Sequence, residues 1–226
     1  MIRLLKPLIG IVAVAAVVTL ARRRATERAP EPSPRREVHV PRASGAFDLD
    51  SELTEPAWRV APVAQLAGRP YSEVRFTWSG DALHVGLYAS DRNIVSAGVG
   101  GDGPVWRGDS FHLVFAKDGV ERSFDVGPSA HGAVLTDGER RSKGAWSYAW
   151  SSGARVALDM DEGTADHPED ADEEWVVELE IPLAALGLAP GQRVDFSARR
   201  CDVDVRGGKP VESPCPAIEL ALVLDP

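Results

Sequence analysis

Apolar residues in this chain recur at every second position, and only in short runs. In EWVVELEIP, Trp175, Val177, Leu179 and Ile181 occupy one side while Glu174, Val176, Glu178 and Glu180 occupy the other. Successive side chains of a strand point to opposite faces, so a period of two over nine residues specifies a half-buried strand ended by Pro182. The pattern repeats. Val74, Phe76 and Trp78 alternate, SGDA turns the chain, and Leu83, Val85 and Leu87 alternate again as the return strand of a hairpin. Phe111, Leu113 and Phe115 lead through KDG to Phe124 and Val126, and Val194, Phe196 and Ala198 precede a last run of Ile218, Leu220, Leu222 and Leu224. LAALGL after Pro182 is a single helical turn. No long segment repeats every 3.6 residues, and there is no internal repeat. Short strands joined by turns predict an all-β chain, an antiparallel β-sandwich of immunoglobulin-like or jelly-roll-like form.

Two stretches stand outside that pattern. MIRLLKPLIGIVAVAAVVTLARRR (1–24) sets an apolar run, Leu8–Ala21, between basic residues. It predicts an N-terminal hydrophobic helix, a signal peptide or a signal anchor. Three arginines directly after Ala21 make an awkward cleavage site, which favours the uncleaved anchor. Residues 25–42 are proline-rich and basic and read as an extended spacer, leaving 43–226 as the sandwich. The expected setting is therefore outside the cytoplasm, in the periplasm or cell envelope, with the membrane as a partner through the N-terminal segment. Charge follows the same division. Of the net −9, residues 1–42 contribute +6, leaving −15 on the rest. A body so acidic repels phosphate backbones, which excludes nucleic acid as a partner.

Cys201 and Cys215 flank a GG turn in RRCDVDVRGGKPVESPCP. Outside the cytoplasm they are expected to form a disulfide, whose loop closure contributes about 3 kcal/mol. Catalytic patterns are missing. There is no GxSxG, Ser129 and His131 in PSAHG have no acid at a recognisable spacing, and the five histidines form neither HxH nor HExxH. The run DMDEGTADHPEDADEE, 159–174, is rich in hard oxygen donors, with Asp159, Asp161 and Asp166 as weak candidates for structural calcium. Its spacing is not that of an EF-hand loop. No other cofactor is indicated, and the chain reads as non-enzymatic.

The tryptophans divide into two sets. Trp58, Trp78 and Trp175 are in phase with apolar neighbours and are expected in core strands. Trp106, Trp146 and Trp150 stand among Gly, Ser and charged residues in GPVWRGD and KGAWSYAWSSG. An exposed indole stacks on the C–H face of a sugar ring while nearby polar groups bind its hydroxyls. Two such rings facing each other would clamp one sugar.

Four segments together resemble carbohydrate-binding module family 9 and its DOMON-like β-sandwich relatives. FDLDSELTEPAWRVAP (47–62) is similar to the family's D-G-x-L-D-E-x-x-W opening, and VRFTWSGDALHVGLYASD (74–91) to its hairpin. PVWRGDSFHLVF (104–115) resembles W-x-x-D-x-V-E-x-F, and DEEWVVELEIPLAALGL (172–188) resembles W-x-V-E-x-A-I-P. The resemblance implies a sandwich that binds a saccharide or polysaccharide in a slot between aromatic rings, with structural calcium in some members. Trp106 falls on one arm of that slot and Asp109 on the motif aspartate. His112 replaces a glutamate that accepts sugar hydroxyls, and a neutral histidine offers one donor and one acceptor instead. Trp146 and Trp150 are candidates for the second arm. Two alternatives follow from the same resemblance: an envelope domain with a structural or protein-binding role that has lost the sugar site, and a b-type haem domain using Met160.

Overall fold

The computed structural model describes residues 34–45, 47–96, 105–129, 131–160, 164–167, 172–206, 209–212 and 214–226. Segment 1–24, residues 25–33 of the expected spacer, and Asp161 lie outside the described residues. Among the described residues no helix is long and apolar enough to cross a membrane.

Two sheets form the sandwich. The first holds six strands in the order β1 (Arg36–Val40), β13 (Ala217–Leu224), β10 (Arg193–Cys201), β5 (Ser110–Lys117), β6 (Val120–Ser129) and β7 (Gly132–Arg141). The second holds β2 (Val63–Gln65), β3 (Ser72–Ser79), β4 (Ala82–Ser90), β9 (Glu174–Pro182) and β8 (Arg155–Met160). A separate ribbon pairs β11 (Val203–Arg206) with β12 (Lys209–Glu212). Neighbours are antiparallel except β1, which runs parallel to β13. The alternating residues form the core between the sheets. Phe76 meets Phe196 edge-on at 5.0 Å, and Phe111 meets Trp175 at 5.2 Å. The LAALGL turn is the short helix α2, Leu183–Leu186, which buries Leu183 and Leu186.

Three details differ from the sequence pattern. β1 lies within the segment expected to be a spacer, because Val38 and Val40 alternate with polar residues and are buried along β13. The folded unit accordingly begins at Arg35. Trp58 is buried as expected, but on a short helix, α1 (Pro56–Val60), rather than a strand. Pro56 starts it, where the missing N–H costs no helical bond. Glu178, grouped by its period with exposed glutamates, is fully buried. Its Oε2 accepts the N–H groups of Asp50 and Ser51, and Oε1 accepts the Trp58 indole N–H at 2.8 Å. The 47–58 segment therefore covers the outer face of β9, and burial raises the Glu178 pKa.

Cys201 and Cys215 form the expected disulfide across 14 residues, with Cα atoms 4.4 Å apart. It closes the segment that carries β11 and β12. Replacing both cysteines with serine is expected to lower the unfolding free energy by about 3 kcal/mol, read from urea melts. A loss below about 1 kcal/mol would mean that the loop is not constrained by this bond.

Candidate functional site

Phe124 and Val126 of β6 face the core, so Ser123, Asp125 and Gly127 face outward from the six-stranded sheet. Trp106 reaches this outer face on a 3-10 turn, Val105–Arg107. Gly127 makes that approach possible. A Cβ there would lie 2.3 Å from the Asp109 carbonyl oxygen and 3.2 Å from Val105 Cγ1. Val105 is thus buried against the strand, whereas the Trp106 side chain stays 55% exposed.

The floor beside this turn is polar. His112 on β5 lies between Arg199 on β10 and Asp125 on β6, with Thr136 of β7 next along the same rung. His112 Nδ1 is hydrogen-bonded to Asp125 Oδ1. Arg199 is exposed and has no carboxylate partner among the described residues. Beyond β7, Ser147 exchanges backbone hydrogen bonds with Glu139 and brings the 146–148 segment alongside the sheet. Tyr148 lies over Gly138, where an added Cβ would come within 3.2 Å of its ring, and is 54% exposed. Gly138 pairs with Ser123, so Tyr148 shares the outer face with His112 and Trp106. From the Gly127 rung to the Ser123 rung is four residues, roughly 13 Å at strand rise. Trp146 stands two residues further on, half-buried, with the Arg140 guanidinium 4.6 Å from its ring centroid.

The structure therefore brings Trp106, His112 and Trp146 to one face and leaves Asp109 and Trp150 away from it. A turn at Tyr148–Ala149 breaks the alternation begun by Trp146 and Tyr148. Trp150 consequently packs on the core side, edge-on to Phe124 at 6.3 Å. Asp109 is fully buried and positions the turn instead. Its Oδ2 accepts the Val95 N–H at 2.7 Å, Oδ1 accepts the Val203 N–H at 2.8 Å, and its own N–H donates to Val95 O. Tyr148, Asp125 and Arg199 join the face without having been singled out in the sequence. Tyr148 had a signal, since it lies two residues from Trp146 and thus on the same side of an extended segment.

Asp109 belongs to a buried group with Asp91, Asp202 and Arg200. The Arg200 guanidinium bonds Asp91 and, at 2.6 Å, Asp202, and lies 3.8 Å from Asp109. Burial, with Asp91 alongside, pushes the Asp109 pKa up to about 8, against the pull of Arg200 and the two N–H donors. Asp91 is raised as well, chiefly by burial. His84 moves the opposite way, to about 4, because burial disfavours its charged form. It stacks on Phe47 with ring centroids 3.8 Å apart.

These shifts set the expected pH dependence. Between pH 4 and 6.5 the unfolded state takes a proton on His84 that the fold refuses, while the fold keeps one on Asp109 that the unfolded chain loses. The two slopes oppose each other there. Above 6.5 the His84 slope is gone while that of Asp109, reinforced by Asp91, continues, so stability is expected to fall as pH rises toward 8. Urea melts at pH 6.5 and 8 check this, and Asp109→Asn is expected to flatten the decline. A flat wild-type profile over that interval overturns it.

Of the residues considered for calcium, the two described ones, Asp159 and Asp166, belong to no common carboxylate group. Asp159 is exposed on β8, and Asp166 accepts the N–H and hydroxyl of Ser96. Closer carboxylate groups exist, Asp50 with Glu55 and Glu178, and Asp91 with Asp109 and Asp202. The second already surrounds the Arg200 cation, and Glu178 in the first already accepts three N–H donors. Met160 packs against the core in register with Trp175.

A two-sheet sandwich is an architecture that many unrelated functions share. Known structures narrow the fold further, to that of carbohydrate-binding module family 9. A candidate carbohydrate-binding protein from Bacteroides uniformis aligns with TM-score 0.61 at 12% identity, over 85% of this chain and 100% of the other. A family 9 module from Caldicellulosiruptor kristjanssonii in complex with cellotriose aligns with TM-score 0.54 at 14% identity, over 84% and 94%. The same kind of module in complex with glucose gives 0.52 at 13% identity, over 84% and 96%. No family sequence model and no curated protein matches the chain.

Proposed function

We propose that this protein binds saccharides without turning them over, on the outer face of the six-stranded sheet. The observation that carries the reading is a pair of exposed aromatic residues, Trp106 on the turn packed at the Gly127 rung and Tyr148 over the Gly138 rung, with the His112–Asp125 pair on the strand face between those rungs. Their spacing along the strands favours a ligand of two or three sugar units lying across the floor over one ring clamped between two indoles. Aromatic faces take the C–H surfaces of sugar rings, and His112, Arg199 and Thr136 offer donors and acceptors to hydroxyls. Structural neighbours of the same fold hold cellotriose and glucose, which makes neutral glucans the first ligands to test. The N-terminal segment would export the domain and hold it at the membrane, with residues 25–34 as a spacer.

The test is a titration of the full chain, kept in a non-glycosidic detergent, with cellotriose and glucose and then a wider oligosaccharide panel. Amide and indole NMR shifts are expected at Trp106, His112 and Tyr148. A folded protein that shows no shift at these residues with any saccharide sinks the reading.

A further inference from the structure

A pocket of about 810 Å³ opens elsewhere on the molecule, between the loop after β2, the end of β4 and the start of β11. It shares no lining residue with the Trp106 face. Its volume is within the roughly 300–1,000 Å³ usual for small-ligand sites. We propose that it is a second saccharide site, taking a neutral sugar ring against Tyr71.

The platform is already fixed. Tyr71 is 41% exposed, donates its hydroxyl to Glu73, and meets Tyr88 edge-on at 5.9 Å, so its ring is held while part of it stays open. Glu73 is in turn held by Arg75. The polar groups around the ring offer both kinds of hydrogen bond. Arg69 and Arg92 line the pocket with no side-chain partner among the described residues. In contrast, Arg35, Arg75, Arg140 and Arg155 each sit on a carboxylate. Asn93 adds an amide, and Asp91, Asp202 and Asp204 add acceptors. Asp91 and Asp202 are locked by the fully buried Arg200.

Charge decides among ligand classes. Charges of both signs line the pocket, with Asp91, Asp202 and Asp204 beside Arg69 and Arg92, and Arg200 holds Asp91 and Asp202 from behind the wall, close to Asp109. An anion would face the carboxylates and a cation the guanidiniums. A neutral, polyhydroxylated ring meets donors and acceptors at once and carries no charge for either set to repel.

The experiment separates this site from the first. The full chain and its Trp106→Ala variant are titrated with neutral trisaccharides (cellotriose, xylotriose, mannotriose, chitotriose), with trigalacturonic acid and with chitosan trimer. For at least one neutral probe, Trp106→Ala is expected to retain binding, with NMR shifts at Tyr71, Arg92 and Asn93. Adding Tyr71→Ala should weaken that binding at least tenfold, and Tyr71→Phe, which keeps the ring, should restore it. If no neutral probe moves these residues, or the charged trimers bind tenfold tighter, the proposal is overturned whatever happens at Trp106. If the pocket shifts while the Trp106 face stays silent in the unmodified chain, the first reading fails and this one stands.

Discussion

Trp106→Ala is expected to weaken binding on the sheet face at least tenfold while leaving thermal stability nearly unchanged. Both halves follow from how the turn is built. Its anchors are Val105, buried against Gly127, and Asp109, whose carboxylate holds Val95 and Val203. Neither involves the indole, which is 55% exposed. Removing an exposed side chain with no such role changes stability by about 0.5 kcal/mol or less. In the complex the same indole would bury most of that exposed surface against a sugar. Losing about 1.4 kcal/mol of such contact is a factor of ten in affinity. Calorimetry with the best neutral oligosaccharide, alongside a thermal melt, measures both. An unchanged affinity would remove Trp106 from the site, and a large drop in melting temperature would make it a structural residue.

The sandwich was legible because nearly every core strand carries strong period-two alternation, as in Phe111–Phe115 and Trp175–Ile181. The remaining strands have weaker or misleading local patterns. β7, GAVLTDGERR, mixes glycine and charge, and β8, RVALDM, is short. β1 was hidden in a basic stretch that reads as spacer. Glu178 shows the limit of periodicity: it follows the exposed phase, yet a segment 120 residues away in sequence folds over it. The candidate site was legible only in part. A loop tryptophan can be picked from its glycine-rich surroundings, and Trp106 is indeed exposed. Asp109 carries the same motif signal but serves the turn's backbone, a distinction set by burial. The Tyr71 pocket draws on loops around residues 69, 92 and 202, and nothing local in any of them marks a shared cavity.

Arg200→Met should produce the largest stability loss of any single change considered, about 3–5 kcal/mol near pH 7. Arg200 is fully buried among Asp91, Asp109 and Asp202, with its guanidinium also 5.9 Å from the Trp175 ring. Methionine fills much of the space but leaves the carboxylates buried without their cation. That loss is a large part of the roughly 5–15 kcal/mol by which a domain of this size is stable. It should also depend on pH in a definite direction. Asp91 and Asp109 already have raised pKa values with Arg200 present, and without it they rise further. The variant therefore holds protons that its unfolded chain releases, and its stability climbs as pH falls toward 5. Urea melts at pH 5 and 7.5 should show the gap to wild type narrowing on acidification. A loss under about 1 kcal/mol, or a gap independent of pH, would mean that Arg200 acts by packing alone. Asp109 links this cluster to the Trp106 turn through Val95 and Val203, so the variant at pH 7.5 should also show Trp106 more accessible to iodide quenching. Acidification should reverse that change together with the stability, because both depend on the same carboxylates.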